Sequence, residues 1–474
     1  MAVRQADFRA RAQAALQDDN LRDALDKAKG GFVDKRASAI LDLPGFETLR
    51  ERGRQIKDHT LAHLDTYLET FEQNVERNGG QVHYAADAEA AREAVLAICR
   101  DASARQVIKA KTMAGEEVGL NEALEHEFET VESDLGEYII QLAEEPPSHI
   151  IAPAVHKTRA EITALFDRHH HQREGGPLRE TPDLVDEARG VLRQKFLGAD
   201  IGISGANFLI AETGSIALVT NEGNADLSTS LPRVHIAIAG IEKLVPGLEE
   251  ASSMLRLLAR SATGQQITAY TTFITGARRE ADPDGPEEFH LVLLDNGRSR
   301  MLGDEFREML RCIRCGACMN HCPVYSAIGG HAYGWVYPGP MGAVLTPMFQ
   351  GLDKSRDLPN ACTLNGRCQS VCPVKIRLPM LIRRLRDHEF EQRLTPTGTR
   401  WALQAWAWLA RRPRLYQLAT RSAGTVLRTL GKGRARRVPL AGAWTAARDL
   451  PLPSAGGTFQ QRWRAARTSR GEQA

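Results

Sequence analysis

The sequence predicts an α/β domain with a mostly parallel sheet, followed by an all-α cysteine-rich module and a helical basic tail. Short β-branched runs alternate with helical patterns through the middle of the chain. Seven of the eight cysteines then fall within residues 312–372, and arginine and tryptophan are frequent beyond them. The predicted boundaries are 1–75 for an N-terminal helical arm, 76–296 for the α/β domain, 297–390 for the cysteine-rich module and 391–474 for the tail.

The N-terminal arm is predicted from its helical periodicity. Apolar residues recur at spacings of three and four from Phe8 onward and again from Thr60 to Leu64, among many charged residues. An amphipathic helix needs a partner for its apolar face. We therefore expect the arm to pack on another part of the protein.

The α/β domain is predicted from alternating strand and helix patterns, which are typical of a parallel sheet covered by helices. We expect a helix over 114–127, a loop over 169–182 and a second helix that ends at Leu197. The predicted strands are Gln106–Ala110, Thr130–Glu132, His149–Ala152, Ile201–Ile203, Ala206–Ile210, Ser215–Thr220, Val234–Ala239, Gln266–Ile274 and Phe289–Leu294.

Several residues of this domain could bind or transform a small anionic substrate. Glycine turns let the backbone approach a carboxylate or phosphate closely, and the candidate turns are Gly202, Gly205 and Gly214. The candidate side chains are Glu212 as a base, Lys109 or Lys111 as an anion clamp, and His156 or His235 as a proton carrier. Each also has a structural interpretation, as a cap, a solvated cation or a packed histidine. The adjacent histidines 169–171 are interpreted as a solvated loop.

Known nucleotide-binding fingerprints are missing from the sequence. No Gly-x-Gly-x-x-Gly motif follows a predicted strand, and no glycine-rich loop ends in Gly-Lys-Ser/Thr. We therefore predict neither a nicotinamide- or flavin-dependent site nor nucleotide hydrolysis.

The cysteine spacing predicts two iron–sulfur cluster sites in an all-α ferredoxin-like module. The runs are Cys312-x2-Cys315-x2-Cys318-x3-Cys322-Pro323 and Cys362-x5-Cys368-x3-Cys372-Pro373. In two-cluster ferredoxins the cysteine before the proline ligates the other cluster. We therefore expect Cys312, Cys315, Cys318 and Cys372 at site 1, and Cys322, Cys362 and Cys368 at site 2. A disulfide framework suits short secreted chains instead, and one structural zinc would leave three of these cysteines unused.

Site 2 lacks one cysteine, because Asn365 stands where a complete repeat would place it. Site 1 is predicted to hold a [4Fe-4S] cluster. Site 2 is predicted to hold a [3Fe-4S] cluster or a [4Fe-4S] cluster with three cysteine ligands, with Asn365 or water at the open corner. The spacing of the second run also resembles the iron–sulfur subunit of succinate dehydrogenase, whose corresponding cluster has three irons. The remaining cysteine, Cys99, is interpreted as a buried core thiol.

The tail is strongly basic. From Arg393 to Ala474 there are sixteen Lys or Arg residues and two acidic residues, a net charge of +14, whereas the whole chain carries +2. Five of the six tryptophans lie here: Trp401, Trp406, Trp408, Trp444 and Trp463. The tail could lie on anionic lipid, dock an acidic partner, or pack on its own domains. No recognition module accompanies it, so nucleic acid is not a predicted partner.

Segments across the α/β domain resemble the lactate utilisation domain, and the order of domain, cluster module and basic tail resembles the lactate utilisation protein B family. The segments are DLGEYIIQL (134–142), EPPSHI (145–150), PAVHKT (153–158), GANF (205–208), AETGS (211–215), VTNEGN (219–224), TTFITG (271–276) and GPEE (285–288). The resemblance implies an iron–sulfur subunit of a three-protein system that oxidises L-lactate and is not NAD-dependent. Its implied partners are a CCG-motif cysteine-rich subunit and a smaller protein with the same domain.

Three functional hypotheses remain open on the sequence. The chain could carry electrons from L-lactate oxidation towards an acceptor such as quinone, act as a scaffold whose clusters are structural, or serve oxidation of another 2-hydroxy acid such as glycolate. The first residues, MAVRQADFRARAQAAL, lack the apolar core of a secretory signal, and no run of about 18 apolar residues exists. Thiolate ligands need a reducing compartment. We expect a cytoplasmic protein, with peripheral contact at the inner face of the membrane as one role of the tail.

Overall fold

The computed structural model describes residues 8–170, 180–430, 434–435, 445, 448–451 and 457–469. The chain divides into two compact units, Met1–Glu389 and Phe390–Ala474. The loop predicted over 169–182 and the residues His171 and Trp444 lie wholly or largely outside the described residues.

Six parallel strands form the central sheet of the first unit. Ten strands of this unit are numbered along the chain: β1 (Gln81–Ala85), β2 (Gln106–Lys109), β3 (Glu129–Glu132), β4 (Ile201–Ser204), β5 (Phe208–Ile210), β6 (Ser215–Thr220), β7 (Val234–Gly240), β8 (Leu244–Val245), β9 (Tyr270–Ile274) and β10 (Glu288–Leu294). The central sheet has the order β1-β10-β7-β4-β2-β3, and every neighbouring pair is parallel. The predicted mostly parallel sheet is confirmed.

A second, smaller sheet has the order β8-β5-β6-β9. The pairs β5–β6 and β6–β9 are antiparallel, and β5–β8 is parallel. The sequence pattern identified β5, β6 and β9 as strands but placed them in one sheet with the others. A short turn joins β5 to β6, and a parallel pairing of these two strands would have required a longer crossover. Strand β9 follows much later in the chain and pairs with β6 across the intervening helices and strands.

Three predictions about local structure are wrong. His149–Ala152 is not a strand, because the Nδ1 of His149 accepts hydrogen bonds from the backbone N–H groups of Ile151 and Ala152 (3.0 and 3.1 Å) in a turn between prolines. The helix predicted over 114–127 is broken by Gly119, which has a left-handed φ of +68°. Strand β1, at the sheet edge, was missed.

The helices of the first unit up to β10 fall into two sets, those that precede β1 in the chain and those that lie between β1 and β10. Those before β1 are Phe8–Ala15, Asp19–Lys29, the π-helical turn Gly30–Asp34, Lys35–Leu41, Phe46–Ala62 and Leu64–Arg77. Those between β1 and β10 are Ala88–Asp101, Met113–Val118, Leu120–Glu125, Leu135–Leu142, Arg159–His169, Thr181–Gly198, Asn224–Ser230, the 3-10 turn Ile241–Lys243 and Leu248–Ala262.

The cysteine-rich module follows β10 and is built from short helices and loops. They are Arg298–Leu302, the 3-10 turn Arg307–Arg311, Ala317–Asn320, Tyr325–Ile328, the 3-10 turn His331–Tyr333, Gly339–Gln350, Leu352–Ser355, Asp357–Ala361, Arg367–Val371 and Leu378–Glu391. Its core is continuous with the N-terminal helices and the second sheet. The N-terminal helices therefore pack on the cysteine-rich module: Phe8 lies against Tyr333, and Leu21 lies against Gly329.

The second unit contains the helices Thr397–Ala410, Pro413–Leu430 and Phe459–Ser469 and a short antiparallel pair, Arg434–Ala435 with Leu450–Pro451. Trp401, Trp406 and Trp408 are 69%, 61% and 54% exposed on the first helix, which buries none of its residues. Among the described residues, no helix combines the length and the apolar character needed to cross a membrane.

Candidate iron–sulfur centre

The seven clustered cysteines lie in two groups within the first unit. The thiolate charges of Cys372 and Cys312 act on Cys315, and Cys318 lies within range of these three and of Cys368. The second group consists of Cys322, Cys362 and Cys368, whose charges act on one another. All eight cysteines of the chain are free thiols, so no disulfide competes with metal binding. The seven thiols thus lie near one another in two neighbouring loops, and their division into the two predicted ligand sets stays a prediction.

The two runs share one backbone conformation. Arg314 and Leu364, each two residues after the first cysteine of its run, have left-handed φ values of +57° and +54°. Gly316 and Gly366, two residues further on, have φ values of +71° and +82°. Such a turn wraps a loop around a small volume, and each run continues into a short helix. The second run therefore repeats the first, including the position of the residue it lacks.

Asn365 occupies the repeat position of Cys315, but its side chain forms a hydrogen bond with the backbone. Its Oδ1 accepts a hydrogen bond from the backbone N–H of Arg367 at 2.9 Å, and the residue is exposed. The equivalent Cys315 is only 7% exposed. Site 2 thus gathers three thiols and no fourth side-chain ligand of the run.

Backbone N–H groups point at the sulfur atoms. The N–H of Leu364 donates to Cys362 Sγ and that of Ile376 donates to Cys372 Sγ, each at 3.3 Å. Further backbone donors serve Cys315, Cys322 and Cys368. Hydrogen bonds to sulfur stabilise added negative charge and are one of the means by which proteins set cluster potentials.

Free thiolates are strongly disfavoured in this environment. Burial, reinforced by the neighbouring thiolates, raises the pKa of Cys315 and Cys368 to about 12 and that of Cys372 to about 11. A bound metal cation offsets both the burial and the repulsion, because thiolates and metal neutralise each other. The donor set, all sulfur with no carboxylate in either group, fits iron–sulfur clusters.

Two arginines from the N-terminal helices reach the second cysteine run. The buried Arg36 donates to the carbonyl of Val371 at 2.8 Å, and Arg50 donates twice to the carbonyl of Cys372, at 3.0 and 2.7 Å. Their charges act on the thiols of Cys315 and Cys372. The N-terminal helices therefore supply positive charge next to site 1.

The arginines that are adjacent to ligand cysteines in the sequence have mixed roles. Arg311 is paired with Asp58 and Glu308, which cancels most of its charge. Arg367 is exposed. Arg314 is 8% exposed, and its charge lies close to the thiol of Cys312 and to the carboxylate of Glu242.

A buried ion network joins the cysteine-rich module to the α/β domain. Arg298 binds Glu117 through two nitrogens, both at 2.8 Å, and also Glu242. Arg314 binds the other oxygen of Glu242 at 3.2 Å, and the hydroxyl of Tyr337 donates to Glu117 at 2.7 Å. Burial opposes these charges, but Arg298 and Arg314 outweigh it and lower the pKa of Glu242 to about 2. The network fixes the site 1 loop against the sheet.

A cavity of about 230 Å³ lies beside this network, at the carboxyl ends of the parallel strands. Strand β3 lies on one side of β2 and the next strand, β4, lies on the other side, so the strand order reverses at this point. Lys111 and Gly205, which follow β2 and β4, line the cavity. Ligands of open α/β sheets bind at such a switch point. The cavity is also lined by Lys243 and, from the cysteine-rich module, by Arg314.

Only part of the predicted substrate set reaches this cavity. Lys111 lines it, with its Nζ bound to Asp134 at 2.7 Å. Glu212 is exposed and accepts from the backbone N–H of Leu248, so it caps a helix rather than facing the cavity. Of the three candidate glycines, only Gly205 lines the cavity; Gly202 packs against Ser228, and Gly214 packs against Asn74.

The other predicted side chains have structural partners. Lys109 is fully buried among three carboxylates, the closest being Glu132 at 2.8 Å. His235 bonds Ser204 at 2.8 Å, and burial lowers its pKa to about 3. These contacts favour the structural interpretation of both residues.

His156 belongs to a separate polar cluster. Its ligand atoms and those of Glu145 and His331 lie within 4.8 Å of one another. Each already has a partner: His156 bonds Glu145 and Ser148, His331 bonds the carbonyl of Pro146, and the cation of Lys157 pairs with Glu145. A hydrogen-bonded structural cluster accounts for the group.

Comparison with known proteins relates these sites to described families. The LUD domain family matches residues 68–294, the 4Fe-4S dicluster domain matches 308–376, and the C-terminal family of lactate utilisation protein B matches 391–467. Lactate utilization protein B of Oceanobacillus iheyensis is 44% identical over 452 residues, which cover 94% of each chain. The chain belongs to the lactate utilisation protein B family.

Other relatives are equally similar. Lactate utilization protein B of Bacillus pumilus is 44% identical over 94% of this chain and 95% of its own. The uncharacterized electron transport protein YkgF of Escherichia coli is 43% identical over 94% of each chain.

In this member of the lactate utilisation protein B family, sequence reasoning missed the charged residues that meet at the cavity and at site 1. Glu242 and Lys243 directly follow β7, and Arg298 shortly follows β10. A survey of charged residues after each parallel strand would have found them, since those ends share one edge of the sheet. No local signal marks Arg36 or Arg50, which come from far along the chain.

Proposed function

We propose that this family member is an iron–sulfur electron-transfer subunit of a multi-protein complex that oxidises L-lactate to pyruvate. The observation that carries the proposal is the pair of neighbouring cysteine loops, which hold seven free thiols and share one backbone conformation. The full-length relatives named for lactate utilization and for electron transport support it. The proposal includes an all-α ferredoxin-like module over 297–390, after an arm over 1–75 and an α/β domain over 76–296, and a helical tail over 391–474.

In this proposal site 1 is a [4Fe-4S] cluster held by Cys312, Cys315, Cys318 and Cys372. Site 2 is held by Cys322, Cys362 and Cys368, as a [3Fe-4S] cluster or as a [4Fe-4S] cluster with three cysteine ligands. Iron–sulfur clusters supply one-electron redox chemistry, and a pair of them can divide the two electrons of lactate oxidation. The protein contributes backbone N–H donors to sulfur and the cations Arg36, Arg50 and Arg314 around site 1.

We propose that the tail docks a partner. The exposed tryptophans Trp401, Trp406 and Trp408 and a net charge of +14 suit an acidic protein surface. The partners in this proposal are a CCG-motif cysteine-rich subunit and a smaller protein with the same α/β domain. The complex would work in the cytoplasm, in peripheral contact with the membrane if quinone is its acceptor.

The test replaces Cys318 by Ser in the chain assembled with its partners. If the clusters carry electrons, lactate-dependent reduction of the acceptor is lost while the complex still assembles, as judged by gel filtration under anaerobic conditions. Loss of assembly instead would support the alternative, a scaffold with structural clusters. Cys99→Ser is the matched control, because Cys99 is a buried thiol outside both groups.

The substrate is tested in the same assembly. L-lactate, glycolate and a longer 2-hydroxy acid are compared as electron donors at equal concentration, with cluster reduction followed optically. Reduction by L-lactate at the highest kcat/KM is expected. Faster reduction by glycolate would show that the complex serves another 2-hydroxy acid.

A further inference from the structure

The cavity at the carboxyl ends of the parallel strands is lined by two cationic nitrogen atoms that have no acceptor among the described residues. Lys243 lines it half-buried, and no described residue accepts a hydrogen bond from its Nζ or pairs with it within 4 Å. Arg314 lines the same cavity, and its Nη1 is buried without any hydrogen-bond partner among the described residues. A buried donor without an acceptor is costly, so these two nitrogen atoms indicate a place where a ligand oxygen would bind.

Lys243 stands apart from the other cations next to the ion network. Of Arg298, Arg314 and Lys243, the two arginines pair with Glu117 and Glu242. Both carboxylates are already occupied by the two arginines. Lys243 is therefore the cation of this group that has no carboxylate within 4 Å among the described residues, and a ligand carboxylate could pair with it.

The other carboxylates that line the cavity, those of Asp134 and Glu222, do not pair with Lys243. Asp134 binds Lys111 at 2.7 Å and also accepts from the backbone N–H groups of Gly136 and Glu137. Glu222 accepts from the backbone N–H of Leu135 at 3.2 Å. Both carboxylates therefore already have hydrogen-bond partners in the residues next to them.

A neutral donor lies on the wall as well. Asn207 lines the cavity, and its Oδ1 accepts from the backbone N–H of Val219 at 2.9 Å, which fixes the orientation of the amide. Its Nδ2 donates to no described residue. The amide nitrogen can therefore donate to a hydroxyl or oxo oxygen next to the bound carboxylate.

The size and position of the cavity limit the ligand. Drug-sized ligands and cofactors occupy pockets of roughly 300–1,000 Å³, whereas this cavity measures about 230 Å³. Arg314 stands between Cys312 and Cys315, so the cavity wall is continuous with the loop of site 1. A small acid in the cavity would lie next to the proposed electron acceptor.

We propose that this cavity binds the carboxylate of a small 2-hydroxy or 2-oxo acid, with Lys243 and Arg314 as its cationic partners and Asn207 as the donor to the second oxygen. The identity of the acid rests on the proposed function. The presence of an anion site rests only on the two nitrogen atoms that have no acceptor among the described residues.

Isothermal titration calorimetry on the anaerobically purified full chain tests the proposal, with L-lactate, pyruvate and inorganic phosphate as probes. We expect the wild type to bind L-lactate or pyruvate, and Lys243→Met to weaken binding about 10-fold or more, as expected for a lost charge-assisted hydrogen bond. Lys243→Arg should restore most of the affinity. Lys195→Met is the matched control, because Lys195 pairs with Glu129 at the surface, away from the cavity.

Absence of binding in the wild type, or equal binding by Lys243→Met, would overturn the inference. Phosphate bound as tightly as the organic acids would overturn the assignment to a carboxylic acid. If Lys243→Met fails to fold, Asn207→Ala provides the second variant, with a smaller loss expected. Iron and sulfide are counted in the same samples: absence of binding by the wild type with intact clusters refutes this inference alone, and binding by a wild type that lacks sulfide refutes the proposed function alone.

Discussion

Glu117 is the residue on which the buried junction between the cysteine-rich module and the α/β domain depends most. It accepts hydrogen bonds from Arg298, from the hydroxyl of Tyr337 and from the amide of Asn296, all at 2.7–2.8 Å. Its side chain is fully buried. Glu117→Met keeps the volume but leaves Arg298 with Glu242 as its remaining carboxylate partner.

The cost of this replacement can be worked out. Removing one partner of a buried ion pair destabilises a protein by about 3–5 kcal/mol. The first unit has 389 residues, and an unfolding entropy of about 2.1 cal/mol/K per residue gives it about 0.8 kcal/mol/K. The expected decrease in Tm is therefore about 4–6 °C.

Differential scanning calorimetry of the anaerobic, cluster-loaded protein measures this decrease. Glu127→Met is the control, because it removes only the exposed pair between Glu127 and Arg100; its Tm is expected to match the wild type. The reasoning is refuted if Glu117→Met, at the same iron content as the wild type, melts no lower than Glu127→Met.

Three further predictions follow from single positions. Asn365→Cys supplies a thiol at the repeat position of Cys315, so the iron content of a chain with a [3Fe-4S] cluster at site 2 should rise by about one ion per chain; unchanged iron and an unchanged resonance spectrum would contradict a missing fourth ligand. Gly342→Ala should lower Tm because its Cβ would lie 1.5 Å from the carbonyl oxygen of Tyr337, and an unchanged Tm would refute the close contact. A Cβ added at Gly190, in a helix, would have no other atom within 4 Å. Gly190→Ala should therefore raise the free energy of unfolding in chemical denaturation by about 0.5–1 kcal/mol, and a lower free energy of unfolding would contradict the open environment.

The grouping of the cysteines could be predicted because cluster ligands follow a local spacing rule. The two-residue gaps and the Cys-Pro endings are visible in the sequence, and in the folded chain the charge of Cys372 acts on Cys318 and that of Cys362 acts on Cys322. The ligand assignment itself stays a prediction until iron is measured.

The parallel sheet could also be predicted, because its buried strands are continuous apolar runs such as β7 and β10. The edge strand β1 could not, since its residues QVHYA are half polar and resemble a loop. His149–Ala152 misled the prediction because four residues with apolar members look like a strand whether or not a neighbouring strand accepts their hydrogen bonds. Here the ring of His149 accepts them.

The substrate candidates were less predictable, because a side chain's role depends on neighbours far along the chain. Lys109 and Lys111 are two residues apart, yet one is enclosed by carboxylates and the other lines the cavity. Lys243 stands out only once Arg314 and Arg298 are placed beside it. Periodicity and spacing carry no information about such contacts.

The central claim is that seven thiols of this chain hold two iron–sulfur clusters that exchange single electrons. Electron paramagnetic resonance of anaerobically purified protein, with iron and acid-labile sulfide counted in the same sample, tests it most directly. The account predicts about seven to eight irons per chain, comparable sulfide and resonances that change on reduction by dithionite. Colourless protein that contains zinc, lacks sulfide and stays silent after dithionite would contradict it.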